Sequence, residues 1–196
     1  MVKAFIGNVI VAAFLLLFVF INFKAFYTTG DISYILVSIN ESVYVVLFLV
    51  RERAIAVSTS GFDWAIAFSA TFLGTLLRPA LPLNILLGSI LISIGIMVNI
   101  VSVLFLNRSI SIVPARRSIK TGGLYRFVRH PMYSSEILSL FGYLLVNVSL
   151  MNTYIVIGTM VLMLARINRE ELFLSKNKLY REYLARTPWK LVPFVY

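Results

Sequence analysis

The chain has 196 residues, is 60% hydrophobic and carries a formal net charge of +10. Its mean hydropathy of +0.91 lies well above that of an ordinary soluble domain and marks an integral membrane protein. With no cysteine and a single histidine, disulfides, thiolate catalysis and Cys- or His-built metal sites are excluded.

The first apolar run, Ala4 to Phe26, is too long for a signal-peptide core and lacks a clean small-x-small cleavage site. It reads as a retained span. A polar turn, Thr28-Thr29-Gly30-Asp31, leads to a second span, Ile32–Val50, which ends at Arg51-Glu52-Arg53. A third span covers Asp63–Leu77. Arg78-Pro79 and Pro82 then make a tight connection, since proline resists continuing a helix, and a fourth span covers Leu83–Leu106.

The polar segment Asn107–Pro131 follows. Two shorter apolar runs come next, Met132–Leu150 and Thr153–Ala165. Each is near the minimum length for a crossing, so they read either as two spans or as a hairpin reaching part-way. From Glu170 to Leu184 apolar residues recur at helical spacing, with Lys176, Lys178 and Arg181 between them. That pattern predicts an amphipathic helix along the membrane interface, its cations toward lipid phosphates. Thr187-Pro188 ends it, and the final LVPFVY is expected to pack back onto the body.

The expected fold is therefore an all-α integral membrane protein with about five to six transmembrane helices, including a C-terminal helical hairpin. It forms one membrane domain over residues 1–196. Residues 1–106 supply the N-terminal helices, and residues 107–196 the loop, hairpin and amphipathic helix. On a six-pass path, 16 of the 18 Lys and Arg fall on one side, leaving Lys24 and Arg78 on the other. The asymmetry predicts that both termini and the 107–131 loop are cytoplasmic. It also gives the net charge a meaning, as topology and contact with anionic membrane lipids rather than nucleic-acid binding.

Two polar clusters are candidates for chemistry. One is Lys120–Tyr133, KTGGLYRFVRHPMY, which holds the histidine; the other is Arg166-Ile-Asn-Arg169-Glu170-Glu171. A hairpin returning to the same side brings them together. Together they suit a zwitterionic amino-acid headgroup, which needs a cation and a carboxylate, and an adenine ring, which needs an aromatic or aliphatic slot. Gly122-Gly123 lets backbone approach a ligand closely. His130 precedes proline and is biased to extended backbone, with the next helix starting near Pro131. Taken singly, each feature has a plainer reading. Arg116 and Arg117 serve as topology signals, Glu170 and Glu171 as a solvated helix start, His130 as a loop residue, and Tyr125 and Tyr133 as interfacial anchors. Two carboxylates fall inside apolar runs, Glu41 and Glu136. Such groups are expensive in a membrane and are functional hypotheses by default, although Glu41 equally suits a hydrogen bond to a neighbouring helix.

The stretch GLYRFVRHPMY, an apolar hairpin, REE, YREYLAR and LVPFV, spanning about Ile119 to Val195, resembles the isoprenylcysteine carboxyl methyltransferase family. That superfamily also includes phospholipid N-methyltransferases and small-thiol methyltransferases. The resemblance implies S-adenosylmethionine as methyl donor. It implies that Tyr125, His130, Pro131, Met132 and Tyr133 line the donor site, with Arg117, Ser118, Ile119 and Lys120 touching it. Glu170, or Glu171 beside it, would take the donor's ammonium. Arg166, four residues earlier and so on the same helical face, would point at the acceptor. No metal is required. The implied reaction is methylation of a lipophilic acceptor of isoprenylcysteine carboxylate type, with phospholipid N-methylation and small-thiol S-methylation as alternatives. The acceptor would be a small lipophilic molecule, a lipid or a prenylated group. A carboxylate or thiolate is already a nucleophile and needs a cation, Arg166, to orient it, whereas an amine needs a base, Glu136 or Glu41. Membrane reductases using NADPH carry a similar proline-tyrosine-glutamate pattern, and a non-catalytic membrane scaffold is the remaining reading.

Overall fold

The computed structural model describes residues 2–30 and 32–196. Asp31, the last residue of the expected polar turn, lies outside them. The described residues form seven α-helices: α1 (Val2–Thr29), α2 (Ile32–Val50), α3 (Gly61–Phe72), α4 (Ile85–Leu106), α5 (Pro131–Val146), α6 (Leu150–Leu174) and α7 (Lys178–Arg186). The strand content is one two-residue antiparallel pair, β1 (Ala56–Val57) with β2 (Ala115–Arg116). The protein is an all-α integral membrane protein. Four helices, α1, α2, α4 and α6, are long and apolar enough to cross a bilayer.

The shorter helices α3 and α5 connect the same two ends of the body. At one end, Arg78 and Leu81–Asn84 meet residues 145–152. Asn152 stitches this end: its amide donates to Arg78 O (2.8 Å) and Asn147 O (2.7 Å), and its Oδ1 accepts from Arg78 N at 3.2 Å. Leu81 and Val148 form an antiparallel bridge, and Leu83 N donates to Leu145 O at 2.9 Å. At the other end, residues 52–58 lie along residues 108–116. Glu52 N donates to Arg108 O at 2.7 Å and Ile55 N to Arg116 O at 2.8 Å. Asp63, in the first turn of α3, pairs with Arg169 of α6 there. The turn between α5 and α6 therefore lies at the end opposite the 107–130 loop. At about 1.5 Å per residue, the 16 residues of α5 span about 24 Å, so the hairpin runs nearly the full depth of the body.

The tail departs from expectation. The helix expected over Glu170 to Leu184 is divided, because α6 continues through Glu170 to Leu174. The chain breaks at Ser175–Asn177, where the Asn177 side chain accepts from Leu179 N and caps the separate helix α7. A cap at Asn177 satisfies amide groups that a continuous helix would otherwise pair internally. The last six residues pack back only in part. Leu191 is buried, and its carbonyl accepts from Ser134 Oγ at 2.6 Å, but Phe194 is 85% exposed.

Close approach of α4 and α5 organises the middle of the body. A Cβ added at Gly142 would lie 2.6 Å from Gly88 O and 2.8 Å from Ile92 N, and one added at Gly88 would lie 2.7 Å from Gly142 O. Small residues at such a seam let helix backbones pack directly where lipid offers no hydrophobic drive for association. Across the same seam a polar chain links three helices: Tyr44 Oη donates to Asn99 Oδ1, and Asn99 Nδ2 donates to Ser135 Oγ, each at 2.9 Å. Because the two nearest neighbours of that added Cβ are backbone atoms, Gly142→Val must push α5 away from α4. We expect the variant to lose about 1–3 kcal/mol. Its thermal denaturation midpoint in detergent should fall clearly below the parent's, while Gly7→Val, at a position with open space, should leave it unchanged.

Candidate functional site

The site begins with the helix turn Arg166–Glu171 on α6, which sends neighbouring side chains in different directions. Glu170 turns inward, and its Oε2 accepts from Tyr133 Oη at 2.9 Å. Glu171 turns toward the loop. Its Oε1 lies 2.7 Å from Arg129 Nε and 3.1 Å from His130 Nε2, and its Oε2 lies 3.5 Å from Lys190 Nζ. Arg169 donates from Nε to Asp63 Oδ1 at 2.6 Å, and Asp63 also accepts from Ser58 Oγ. Arg166 donates to Ile112 O (2.6 Å) and Thr71 Oγ1 (3.1 Å), with its guanidinium 5.2 Å from the Tyr133 ring centroid.

Arg129, His130, Tyr133, Arg166 and Glu170 border one cavity of about 720 Å³ that runs from the loop end into the helical body, within the size range of small-molecule and cofactor sites. Its polar part is walled by Ser109, Arg117, Lys120, Tyr125, His130, Glu170, Tyr180 and Tyr183. Deeper, its wall is mainly apolar, with Val11, Phe14, Ile96, Leu140 and Met163, but Glu41, Tyr44, Glu136 and Arg166 also face it.

The loop is held around this opening by the backbone of the tail. Arg129 N donates to Trp189 O and His130 N to Lys190 O, each at 2.9 Å, and Tyr183 Oη donates to Tyr125 O at 2.6 Å. His130 takes the position before α5, and Pro131 starts the helix, where its missing N–H costs nothing. The glycine pair does not meet the cavity. Gly123 adopts φ +58° and lies directly against the ring of Phe105. Its conformation and this contact, rather than ligand approach, require glycine there.

The structure brings together Arg117, Ser118, Ile119, Lys120, Tyr125, His130, Met132, Tyr133, Glu136, Arg166 and Glu170 on one cavity wall. Pro131 and Glu171 are not on it. Pro131 is buried in the first turn of α5, and Glu171 is occupied by Arg129, His130 and Lys190. Tyr125 and Tyr133 are 6% and 8% exposed, so they are not interfacial anchors. Sequence reasoning missed Glu52, Tyr44 and Asn99. For Asn99 a signal existed, as an amide inside the 22-residue apolar helix α4; for Glu52, 66 residues from its partner Ser118, there was none.

Several polar atoms at the cavity are buried without a hydrogen-bond partner among the described residues: Arg117 Nη1, Tyr125 Oη and Arg166 Nε. Buried orphans of this kind call for an explanation, a bound ligand being one. Arg117 donates from Nε to Glu52 O at 2.9 Å. Burial, reinforced by the nearby charge of Arg51, draws its pKa down to about 10, which leaves it cationic at neutral pH. Burial also raises the Tyr125 phenol, with Glu170 adding to the effect, so that hydroxyl is available as a donor.

The Glu52 carboxylate accepts from Ser118 Oγ at 2.7 Å and lies 3.9 Å from Lys120 Nζ. The Ser118 hydrogen bond chiefly, with help from Lys120, holds its pKa below the usual carboxylate range. A depressed carboxylate stabilises the folded arrangement above its unfolded pKa and loses that contribution as pH falls through the folded value. We therefore expect protection of the Ser118 amide against hydrogen exchange, corrected for intrinsic rate, to drop on going from pH 6 to pH 3. In Glu52→Gln the drop should largely disappear.

Against known proteins, the phospholipid methyltransferase family profile matches residues 83–182, from the connection before α4 to the middle of α7. No curated protein sequence matches the chain.

Proposed function

The chain belongs to the phospholipid methyltransferase family, part of the isoprenylcysteine carboxyl methyltransferase-like superfamily, and from this we propose that it transfers a methyl group from S-adenosylmethionine to a lipophilic acceptor. The membrane methyltransferase class comes from the family. The observation that carries the finer reading is the continuity of the cavity, which joins a charged, aromatic mouth to a mainly apolar interior.

The residues present fit such a donor. Glu170, turned inward beside Tyr133, would hold its ammonium. The orphan Nη1 of Arg117, with Lys120 close by, would hold its carboxylate. Tyr125, Tyr180 and Tyr183 offer the aromatic wall an adenine ring needs. When bound, the donor supplies an electrophilic methyl group on a sulfonium centre. The protein's part is alignment and exclusion of water, which a cavity lined by the buried Tyr125, Tyr133, Tyr180 and Tyr183 supports. Glu171 acts at one remove, fixing Arg129 and His130 and so the shape of the mouth.

Two acceptor classes follow from different residues. The orphan Nε of Arg166 favours an anionic acceptor such as an isoprenylcysteine carboxylate. The family's phospholipid character and the carboxylates Glu41 and Glu136 on the same cavity favour a lipid amine. Either would arrive from the bilayer through the apolar interior. In the membrane we place both termini and the 107–131 loop in the cytoplasm, because 16 of the 18 Lys and Arg lie on that side of the path.

Calorimetry on detergent-purified protein tests the donor assignment. S-adenosylhomocysteine should bind and NADPH should not. Glu170→Gln should weaken S-adenosylhomocysteine at least tenfold with an unchanged melting temperature, while Glu171→Gln should lower the melting temperature. Absence of S-adenosylhomocysteine binding to the parent, or unchanged affinity in Glu170→Gln, would overturn the assignment. A radiolabelled methyl-transfer assay on membrane extract should put label in the lipid fraction rather than in protein.

A further inference from the structure

A carboxylate stands among the cations beside the cavity mouth. Glu52 lies just after α2, in the connection to α3, and does not line the cavity itself. The charges of Arg108 and Lys120 act on it, and those of Arg51 and Glu52 act on Arg117. Arg51, Arg108, Arg117 and Lys120 thus gather around one acid, which leaves an excess of positive charge there. Backbone contacts fasten the connection in place. Glu52 N donates to Arg108 O at 2.7 Å, and Arg108 Nε donates to Val50 O at 2.6 Å.

Glu52 holds Arg117 from two sides. Its main-chain carbonyl accepts from Arg117 Nε at 2.9 Å, which fixes one edge of the guanidinium. Its carboxylate Oε2 accepts from Ser118 N at 3.3 Å and from Ser118 Oγ at 2.7 Å. The Ser118 amide belongs to the peptide that follows Arg117, so one residue sets both the side chain and the backbone of Arg117. The Ser118 hydroxyl gives its proton to Glu52, so Ser109 Oγ is the donor across the 2.7 Å between the two serines. Ser109, Arg117, Ser118 and Lys120 all face the cavity. Arg117 is only 9% exposed, yet its Nη1 is buried with no partner among the described residues. Lys120 Nζ lies 3.9 Å from Glu52 Oε1, too far for a hydrogen bond. A guanidinium fixed along one edge and an ammonium kept nearby suit the two oxygens of a carboxylate.

Resting on the methyltransferase reading, we infer that Glu52 is a positioning residue that presets Arg117 and Lys120 for the carboxylate of the methyl donor. It thereby makes the site select nucleoside sulfur compounds that carry the amino-acid carboxylate over those that lack it. Glu52 acts through its neighbours and touches no reacting atom. Without its carboxylate, the peptide after Arg117 loses its acceptor and the surrounding cations lose their countercharge. The ligand must then order this segment on binding, and that cost lowers its affinity. The acceptor oxygen matters more than the charge, because the charge of Glu52 also repels an incoming carboxylate. Glu52→Gln keeps an oxygen for Ser118 and removes that repulsion.

The test uses the whole protein in detergent and two ligands that differ only in the carboxylate. These are S-adenosylhomocysteine and its decarboxylated analogue, which keeps the ammonium. Binding is read by calorimetry, with the melting temperature of each variant alongside. The parent should prefer S-adenosylhomocysteine by about tenfold or more, the scale of one charge-assisted hydrogen bond. Glu52→Ala should weaken S-adenosylhomocysteine by about fivefold or more and leave the analogue within about twofold, so that the preference largely disappears. Glu52→Gln should restore most of it. Equal affinity of the parent for the two ligands overturns the proposal without needing any variant to fold. So does equal weakening of both ligands in Glu52→Ala, the mark of a merely structural role, and so does unchanged S-adenosylhomocysteine affinity in that variant. Failure of the parent to bind S-adenosylhomocysteine is a separate result, which removes the methyltransferase reading instead.

Discussion

The arrangement depends on how the last turns of α6 distribute their charges. Between Arg166 and Glu171 the helix carries two arginines and two glutamates, and each finds a different environment. Glu171 gathers Arg129, His130 and Lys190 around one carboxylate, with side chains between 6% and 21% exposed. Charge-assisted contacts at this burial are strong, and removing one member of a buried pair typically costs about 3–5 kcal/mol. This cluster closes the loop and the tail over the end of the helices. Because it consumes Glu171, the neighbouring Glu170 is left to face inward. One carboxylate builds the wall and the next one lines the chamber.

The bilayer explains the rest of the architecture. Outward faces are apolar, with Phe20, Leu86 and Leu104 well exposed, and they need no partner in lipid. Polar side chains turn inward instead, where they find each other. Tyr44, Asn99 and Ser135 join α2, α4 and α5, and Asn152 holds the opposite end. Direct backbone contact at Gly88 and Gly142 brings α4 and α5 close on one side. The cavity occupies the space left between α5, α6 and the N-terminal helices.

Much of this is legible in the sequence because the bilayer imposes simple requirements. Length and apolarity reveal the long spans, and prolines and polar runs mark their ends. The residues from Tyr125 to Tyr133 and from Arg166 to Glu170 stand out as polar clusters beside apolar runs. The boundary between α6 and α7 is less legible. Helical periodicity continues across it, and what interrupts it is a local competition won by the Asn177 side chain for a backbone amide. Gly123 was misread for a similar reason. Glycine is required both for a ligand's approach and for a left-handed turn against an aromatic ring, and sequence alone does not separate the two.

By itself the sequence determined the membrane class, the helical content and the chemical character of the two polar clusters, because each follows from composition and spacing along the chain. Only the tertiary structure decided which members of those clusters share a cavity. Glu170 and Glu171 are neighbours of identical chemistry. A helix rotates successive residues by about 100°, so one points into the chamber and the other into the loop, and the difference lies in what surrounds the helix. The same holds for Glu41 and Glu136, 95 positions apart in the chain. Their place on one cavity is fixed by how α2 and α5 pack around α4, through long-range contacts that no local pattern encodes.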